Sequence, residues 1–353
     1  MFQFLIKKLA YGVLVLAGVV VVVFFVFQAF GDPARMVLGQ TGDKKTMDNI
    51  RKELYLDQPK WKQFVFYVND ISPIAIHSQQ EIKDKNLRGF FIGGTEPGSY
   101  RFGIKIPYLR RSYQTKKPVT EVLMEALPGT IMLACAAMFF AVIVGIFLGV
   151  LAAVNQNTWL DTSSIFASVV GISAPSFFMA IVIAYLFGLV LHDYTGLSLT
   201  GSWFNIDQVT GKRYLTLQNL ILPAFTLGIR PLSIITQLTR SSMLDTLKQD
   251  YIRTAYAKGL SKRKVVFDHA LRNAINPVLT AITGWFAELL AGAFFVEYIF
   301  GWKGIGKVTV DALEKLDYPV VMGSVLFAAT IFVLINILAD VLYGIIDPRV
   351  KMN

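Results

Sequence analysis

The chain has 353 residues, of which 54% are hydrophobic and 16% charged, with a mean hydropathy of +0.52. Soluble domains carry about 25% charged residues, so composition excludes a soluble enzyme of one or two domains. The net charge of +10, from 34 Lys and Arg against 24 Asp and Glu, is in such a chain first a topology signal and not a sign of nucleic-acid binding.

Six apolar stretches stand out, at about 9–30, 130–154, 165–191, 217–237, 277–296 and 320–346. Each is near the roughly 20 residues that a helix rising 1.5 Å per residue needs to cross a bilayer. Runs such as Val19–Val23 do not alternate as barrel strands do, and lipid cannot satisfy an open strand. The expected fold is an all-α integral membrane protein with six transmembrane helices and a large external loop after the first span. Residues 1–30 form the N-terminus and first span, 31–118 the external loop, 119–346 a five-helix core, and 347–353 a tail.

The apolar core of the first span exceeds the about 7–15 residues of a signal peptide, so its retention is expected. Within the external loop, Trp61, Phe64, Val65 and Val68 share one face of a helix expected over Pro59–Asn69. Turns are expected at Gly93-Gly94, Pro97-Gly98 and Pro107. Gly145 and Gly149 in the second span suit close helix contact, and Cys135 reads as a small packing residue. His77, His192 and His269 lie too far apart to suggest a metal site.

Short loops on the side of the termini hold 12 Lys and Arg against 5 on the other side, which places both termini in the cytoplasm. The basic first external loop is longer than about 60 residues and largely escapes that rule.

The most informative segment is Asp250–Lys264 within the cytoplasmic loop 238–275, followed by His269–Pro277. It reads as two short helices with a sharp break. Gly259 can take the left-handed conformation that ends the first, with Leu260 as the apolar residue beyond. Ser261 can cap the second. Ala255, Ala257 and Gly259 are small enough for another protein to approach the backbone, and Lys258, Lys262, Arg263 and Lys264 ring the spot with positive charge. Composition alone favours a loop that only anchors topology.

In order and spacing these residues resemble the first of the two permease subunits of the dipeptide/oligopeptide/nickel family of ATP-binding-cassette (ABC) importers. The family's "EAA" loop has a Gly four positions after its second Ala, as Ala255 and Gly259 stand here. The peptide-branch pattern D-Y-x-R-T-A-x-A-K-G-L, then H-A-x-R-N-A-x-x-P, is matched throughout, with Arg253 at the broader consensus Glu and Leu271-Arg272 at its Leu-Pro. Further matches are Phe30-Gly-Asp-Pro-Ala34, Leu56-Asp-Gln-Pro59, Pro118-Val119 through Leu127-Pro128, Ile172–Phe177, Leu222-Pro223 and Arg240–Leu244. An external motif matches at Glu297, Phe300, Trp302, Gly304 and Gly306, with Lys303 at a common Pro. The end matches at Asn336, Asp340, Tyr343 and Asp347-Pro-Arg349. A stretch near 69–101 looks inserted, and Glu288 stands where the family has a small residue.

The resemblance implies a type I ABC importer permease fold in a bacterial inner membrane. It implies a second permease as heterodimer partner, two cytoplasmic ATP-binding subunits and an extracytoplasmic substrate-binding protein. Arg253, Thr254, Ala255, Lys258, Gly259, Leu260 and Ser261 would couple this chain to one ATPase. ATP and Mg would bind on the partners, leaving this chain without cofactor or catalytic role. It contains no G-x-x-x-x-G-K-[ST], H-E-x-x-H or G-x-S-x-G. Peptides are the expected substrate, although relatives also carry nickel chelates, glutathione and oligosaccharides.

Arg230, Glu288 and Asp340 are the ionisable residues of the spans. Glu288, expected near mid-depth, either lines the pathway and meets a cationic group, or plays a structural part through a pair with Arg230 or a hydrogen bond within the bundle. Asp340 reads as a helix–helix contact. A proton-coupled secondary transporter using Glu288 and Asp340 is the alternative, and an intramembrane enzyme a third class; neither accounts for the A-x-x-x-G helix pair.

Overall fold

The computed structural model describes residues 2–29, 51, 55–94, 96, 99–206, 213–291 and 293–346. The motifs at 30–34 and 347–349, the Pro97-Gly98 turn and the Tyr343 side chain lie outside the described residues.

The first span is α1 (Phe2–Ala29), without a charged residue from Leu9 to Ala29. Helix α2 (Lys60–Ile71) starts behind Pro59, whose fixed φ suits a helix start. Two residues later comes β1 (Ile74–Ser78), and then α3 (Gln79–Asp84). Ser78 opens α3 with a capping box: its Oγ accepts from Glu81 N at 3.2 Å, and Glu81 Oε2 accepts from Ser78 N at 3.0 Å. Strands β2 (Gly89–Gly93) and β3 (Tyr100–Lys105) complete an antiparallel sheet of order β1-β3-β2. The stretch after the first span is therefore not all-helical. Ile-Ala-Ile-His, Phe-Phe-Ile and Tyr-Arg-Phe-Gly-Ile carry the β-branched and aromatic side chains that suit a pleated surface.

Beyond them lie α4 (Val119–Val154), α5 (Trp159–Ser173), α6 (Ser176–Tyr185, continued by a π-helical turn to Val190) and α7 (Gln218–Leu247). Next come α8 (Asp250–Ala257) and α9 (Lys262–Ala291). The last helices are α10 (Phe294–Ile299), α11 (Ile305–Glu314) and α12 (Tyr318–Ile346). Five of these helices (α1, α4, α7, α9 and α12) are long and apolar enough to cross a membrane. The third apolar stretch is not one helix: α5 and α6 meet at an angle of 108°. Pro175 lacks an N–H and disfavours helical backbone at Ala174, which is extended at ψ 129°. The expected loop 238–275 is also largely helical, because α7 runs on to Leu247 and α9 already starts at Lys262.

The chain divides into two compact units. One comprises Leu9–Glu125 and Val308–Thr330. The apolar stripe of α2 is packed only in part, through Phe64 and Val68. Trp61 and Val65 are exposed, while Gln63, Tyr67 and Asp70 are buried. Tyr67 stacks on Phe24 with ring centres 5.7 Å apart, and Phe64 meets Phe24 edge-on at 5.1 Å. Asp70 draws three cations to it: Lys85 Nζ lies 2.6 Å from Oδ1, Arg110 3.9 Å from Oδ2, and Lys105 donates to the Asp70 carbonyl. Elsewhere in this unit buried Asp317 gathers a turn, accepting from Ser112 Oγ, Tyr113 N and Gln114 N.

The other unit comprises Met1–Lys8, Ala126–Lys307 and Ile331–Asn353. Its centre is α7. A Cβ on Gly149 would lie 2.5 Å from Thr239 Cβ, and one on Gly145 2.9 Å from Ile235, so the two glycines seat α4 directly on α7. Gly171 does the same for α5 at Ser233. Arg240 of α7 binds Asp161 of α5 bidentately, at 2.5 and 2.7 Å. Lys8 Nζ and Asp340 Oδ2 lie 2.7 Å apart, making Asp340 a helix–helix contact. Cys135, by contrast, is exposed and packs no interior.

Candidate functional site

Helix α8 has two faces. Ile252 and Ala255 point inward and join Met243 of α7, Val150 and Ala153 of α4, and Val265, Val266, Ala270 and Ala274 of α9 in one buried cluster. Leu260 packs against the same cluster. Ala255 is therefore an internal packing residue, not part of the outer surface. The outward face carries Tyr251, Arg253, Thr254, Tyr256, Ala257 and Lys258, all exposed.

The end of α8 is built as its residues suggest. Gly259 has φ +77°, in the left-handed region where a side chain is strained. Its N–H reaches Tyr256 O at 2.9 Å, and Leu260 N reaches back to Ala255 O at 3.4 Å, closing the helix in Schellman fashion. Nothing lies within 4 Å of where a Gly259 Cβ would stand, so the glycine is required by conformation and faces open space.

Ser261 stands at the start of α9 with extended backbone, and its carbonyl accepts from Val265 N at 3.0 Å. Its hydroxyl makes no cap bond. The second helix is not short, because α9 continues for 30 residues to Ala291 through a π-helical stretch at Val265–Leu271. Arg253 stays on its own helix, 3.7 Å from Asp250 and 80% exposed. Lys258, Lys262, Arg263 and Lys264 are exposed, and an open cavity of about 380 Å³ lined by Ser261, Arg263, Lys264, Phe267 and Asp268 flanks α8.

At the other end of α9, Glu288 sits in the last turn and not at the middle of a helix. Glu288 and Arg230 line the same cavity, of about 160 Å³, with Trp285, Ser176, Met179 and Thr226. Among the described residues they do not pair with each other. The Arg230 guanidinium instead lies over the Trp285 ring, 5.5 Å from its centre. Both charged side chains are exposed.

One cluster escaped sequence reasoning. Glu297, matched only as part of an external motif, is fully buried. Its Oε1 accepts from Thr130 Oγ1 at 2.8 Å, and Oε2 from Lys307 N at 3.2 Å, with Gly306 N also donating. Thr130 Oγ1 in turn accepts from Ile305 N at 2.8 Å, and Trp302 Nε1 donates to Gly129 O at 2.9 Å. A Cβ on Gly304 would lie 2.3 Å from the Glu297 carboxylate, so the glycines of this hairpin are there to let it close over the acid. The signal in the sequence was the spacing of Glu297, Trp302 and the Gly-x-Gly at 304–306.

Residues 145–352 match the family of binding-protein-dependent transport system inner membrane components, and residues 1–84 match the N-terminal part of such membrane components. The chain belongs to this family. It is 34% identical to the dipeptide transport system permease protein DppB of Alkalihalophilus pseudofirmus, over 99% of this chain and 100% of the relative. DppB of Escherichia coli K12 is 34% identical over 99% of both chains, and DppB of Haemophilus influenzae is 42% identical over 68% of this chain and 76% of its own. Among solved structures, a chain of the inward-facing MetNI methionine ABC transporter superposes with a TM-score of 0.51 at 15% identity. It covers 65% of this chain and 97% of its own, and that likeness is one of fold. The chain is thus a multi-pass inner-membrane permease component.

Proposed function

We propose that this chain is the permease subunit of an ATP-binding-cassette importer that carries dipeptides or short oligopeptides across the inner membrane. The observation that carries the substrate reading is the 34% identity, along 99% of the chain, to permeases of dipeptide transport systems. The partners are a second permease, two cytoplasmic ATP-binding subunits and an extracytoplasmic binding protein. ATP and Mg bind on the ATP-binding subunits, and this chain contributes no catalytic residue. It crosses the membrane six times, the bent α5–α6 pair counting as one crossing, with both termini in the cytoplasm.

In this reading α8 and the turn through Ser261 form the coupling helix. Its exposed face, with Arg253, Thr254, Lys258 and Gly259, enters a groove on an ATP-binding subunit. Its buried face, through Ile252 and Ala255, grips the beginning of α9. Because α9 is one helix of 30 residues, about 45 Å at 1.5 Å per residue, a push on α8 is carried towards Trp285 and Glu288. The permease then alternates between two rigid arrangements. The opposite charges of Arg230 and Glu288 suit the carboxylate and ammonium of a peptide, and charges kept in a span face water or a partner.

The test is ATP hydrolysis by the reconstituted complex with binding protein and peptides, wild type against Gly259→Trp. The site is open, so the fold should survive a strain of about 1–2 kcal/mol. Peptide-stimulated hydrolysis should fall at least about tenfold, equivalent to about 1.4 kcal/mol of lost coupling. Unchanged stimulation would reduce α8 to a topology anchor. In the same assay, normal peptide uptake by Glu288→Gln with an unchanged substrate profile would remove Glu288 from the pathway.

A further inference from the structure

The sheet of the inserted segment has one satisfied face and one bare one. Its register places Ile74, Ile104 and Phe90 in one cross-strand row, and Ile76, Phe102 and Ile92 in the next, with Tyr100 beyond. Side chains alternate along a strand, so all seven project from the same face. Each is 54–72% exposed. The opposite face carries Ala75, His77 and Lys105, all buried. A continuous apolar patch of this kind marks a contact with protein or membrane.

We propose that this face docks on the lipid bilayer, its side chains entering the boundary between headgroups and acyl chains beside the first span. Three observations favour lipid. The first is position. Strand β1 follows α2 after two residues, and α2 is fastened to the end of α1 through Phe24 and through Gln28 Nε2, which donates to Gln63 Oε1 at 2.5 Å. The sheet is therefore tethered where the first span ends. On the way, α2 exposes Trp61 with the Lys62 ammonium 5.6 Å from its ring centre, the aromatic-and-lysine pairing of interfacial segments.

The second is charge. Residues 59–118 contain 11 Lys and Arg against 4 Asp and Glu; with the buried group of Asp70, Lys85, Lys105 and Arg110 set aside, 8 basic residues remain against 3 acidic ones, which complements anionic headgroups. The third is permanence. A soluble partner that binds and leaves would return seven apolar side chains to water in every cycle, whereas the bilayer is always beside the span. The arrangement is an interfacial anchor built from a sheet, obeying the same area-plus-charge logic as an amphipathic helix.

The experiment uses the full chain in nanodiscs of phosphatidylcholine and phosphatidylglycerol in equal parts, without partner proteins. In a Cys135→Ser background, single cysteines at Ile92→Cys and Phe102→Cys carry an environment-sensitive fluorophore, with Lys83→Cys on α3 as control. All three positions are exposed, so the fold is not strained, and an unchanged proteolysis pattern verifies it. Lipids bearing a nitroxide on the acyl chain should quench positions 92 and 102 at least about twofold more than position 83. Equal quenching of all three, with equal access to iodide in water, overturns the proposal. So does shielding of 92 and 102 that develops only after the binding protein or the second permease is added, which would assign the face to that protein.

Discussion

Asp70→Asn should unfold the sheet-bearing segment while leaving the helices around α7 intact. The carboxylate is buried beside Lys85 and Arg110, and Lys105 donates to the Asp70 carbonyl; the side chains of all three cations are themselves largely buried. Burial already pushes the Lys105 ammonium down to about 8, against the pull of Asp70. Removing one partner of a buried ion pair costs about 3–5 kcal/mol, because the remaining charges keep their desolvation penalty. Asparagine preserves the shape and removes only the charge. Hydrogen exchange of β1, β2 and β3 should accelerate strongly, with protection of α7 and α9 unchanged; intact protection of the strands would refute this account of the segment.

Acid should weaken the same segment through Glu81. The His77 ring, 3.6 Å from its carboxylate, is the largest influence, with Ser78 N and Lys85 adding to it against burial, and together they hold the carboxyl down to about 2 from an ordinary 4.5. The folded value is the lower one, so this contribution is complete above about pH 4.5 and is lost as the pH falls through about 2. Protection of α3 should decline across that window, and the decline should be smaller in Glu81→Gln.

Glu297→Ala should be the most damaging single change in the other unit. It strips the acceptors from Thr130 Oγ1, Lys307 N and Gly306 N at a fully buried site and leaves a void. Each orphaned buried donor costs about 1–3 kcal/mol, so a loss of about 3–5 kcal/mol is expected even after partial relaxation. Gly304→Ala attacks the same contact from the other side, since its Cβ would collide with the carboxylate at 2.3 Å. Both variants should lower the thermal midpoint in detergent by a similar amount, and combining them should cost less than the sum, because they break one shared contact. Simple additivity would show that the hairpin and the acid act separately.

The spans were legible because lipid leaves an apolar chain few solutions: a run of about 20 apolar residues must close its own hydrogen bonds as a helix. The turn that ends α8 was legible for a similar reason. A helix ending in left-handed backbone wants Gly, and Gly259 has φ +77°. Helix α2 was legible as a helix with an apolar stripe, while the inward turn of its polar residues was not. Trp61 and Val65 of that stripe look outward, and Asp70 looks inward because its cations arrive from positions 85, 105 and 110. The strands hid among turn signals at Gly93-Gly94, and a 30-residue α9 hid behind Pro277, which sits inside the helix.

Composition, apolar run length and the A-x-x-x-G spacing thus determined by themselves that this is a helical membrane protein with a short helix ended by a glycine turn between two of its long apolar helices. These are local properties, read within a window of one span or one turn. Only the tertiary structure decided that Ala255 is buried and Gly259 free, and that Arg230 and Glu288 share a cavity without pairing. It alone decided that Glu297 is sealed under its own glycines, and that the strands β1, β2 and β3 leave one apolar face uncovered. Each of these depends on which elements are neighbours, and pairings between residues tens to hundreds of positions apart are settled by packing, to which no short window has access.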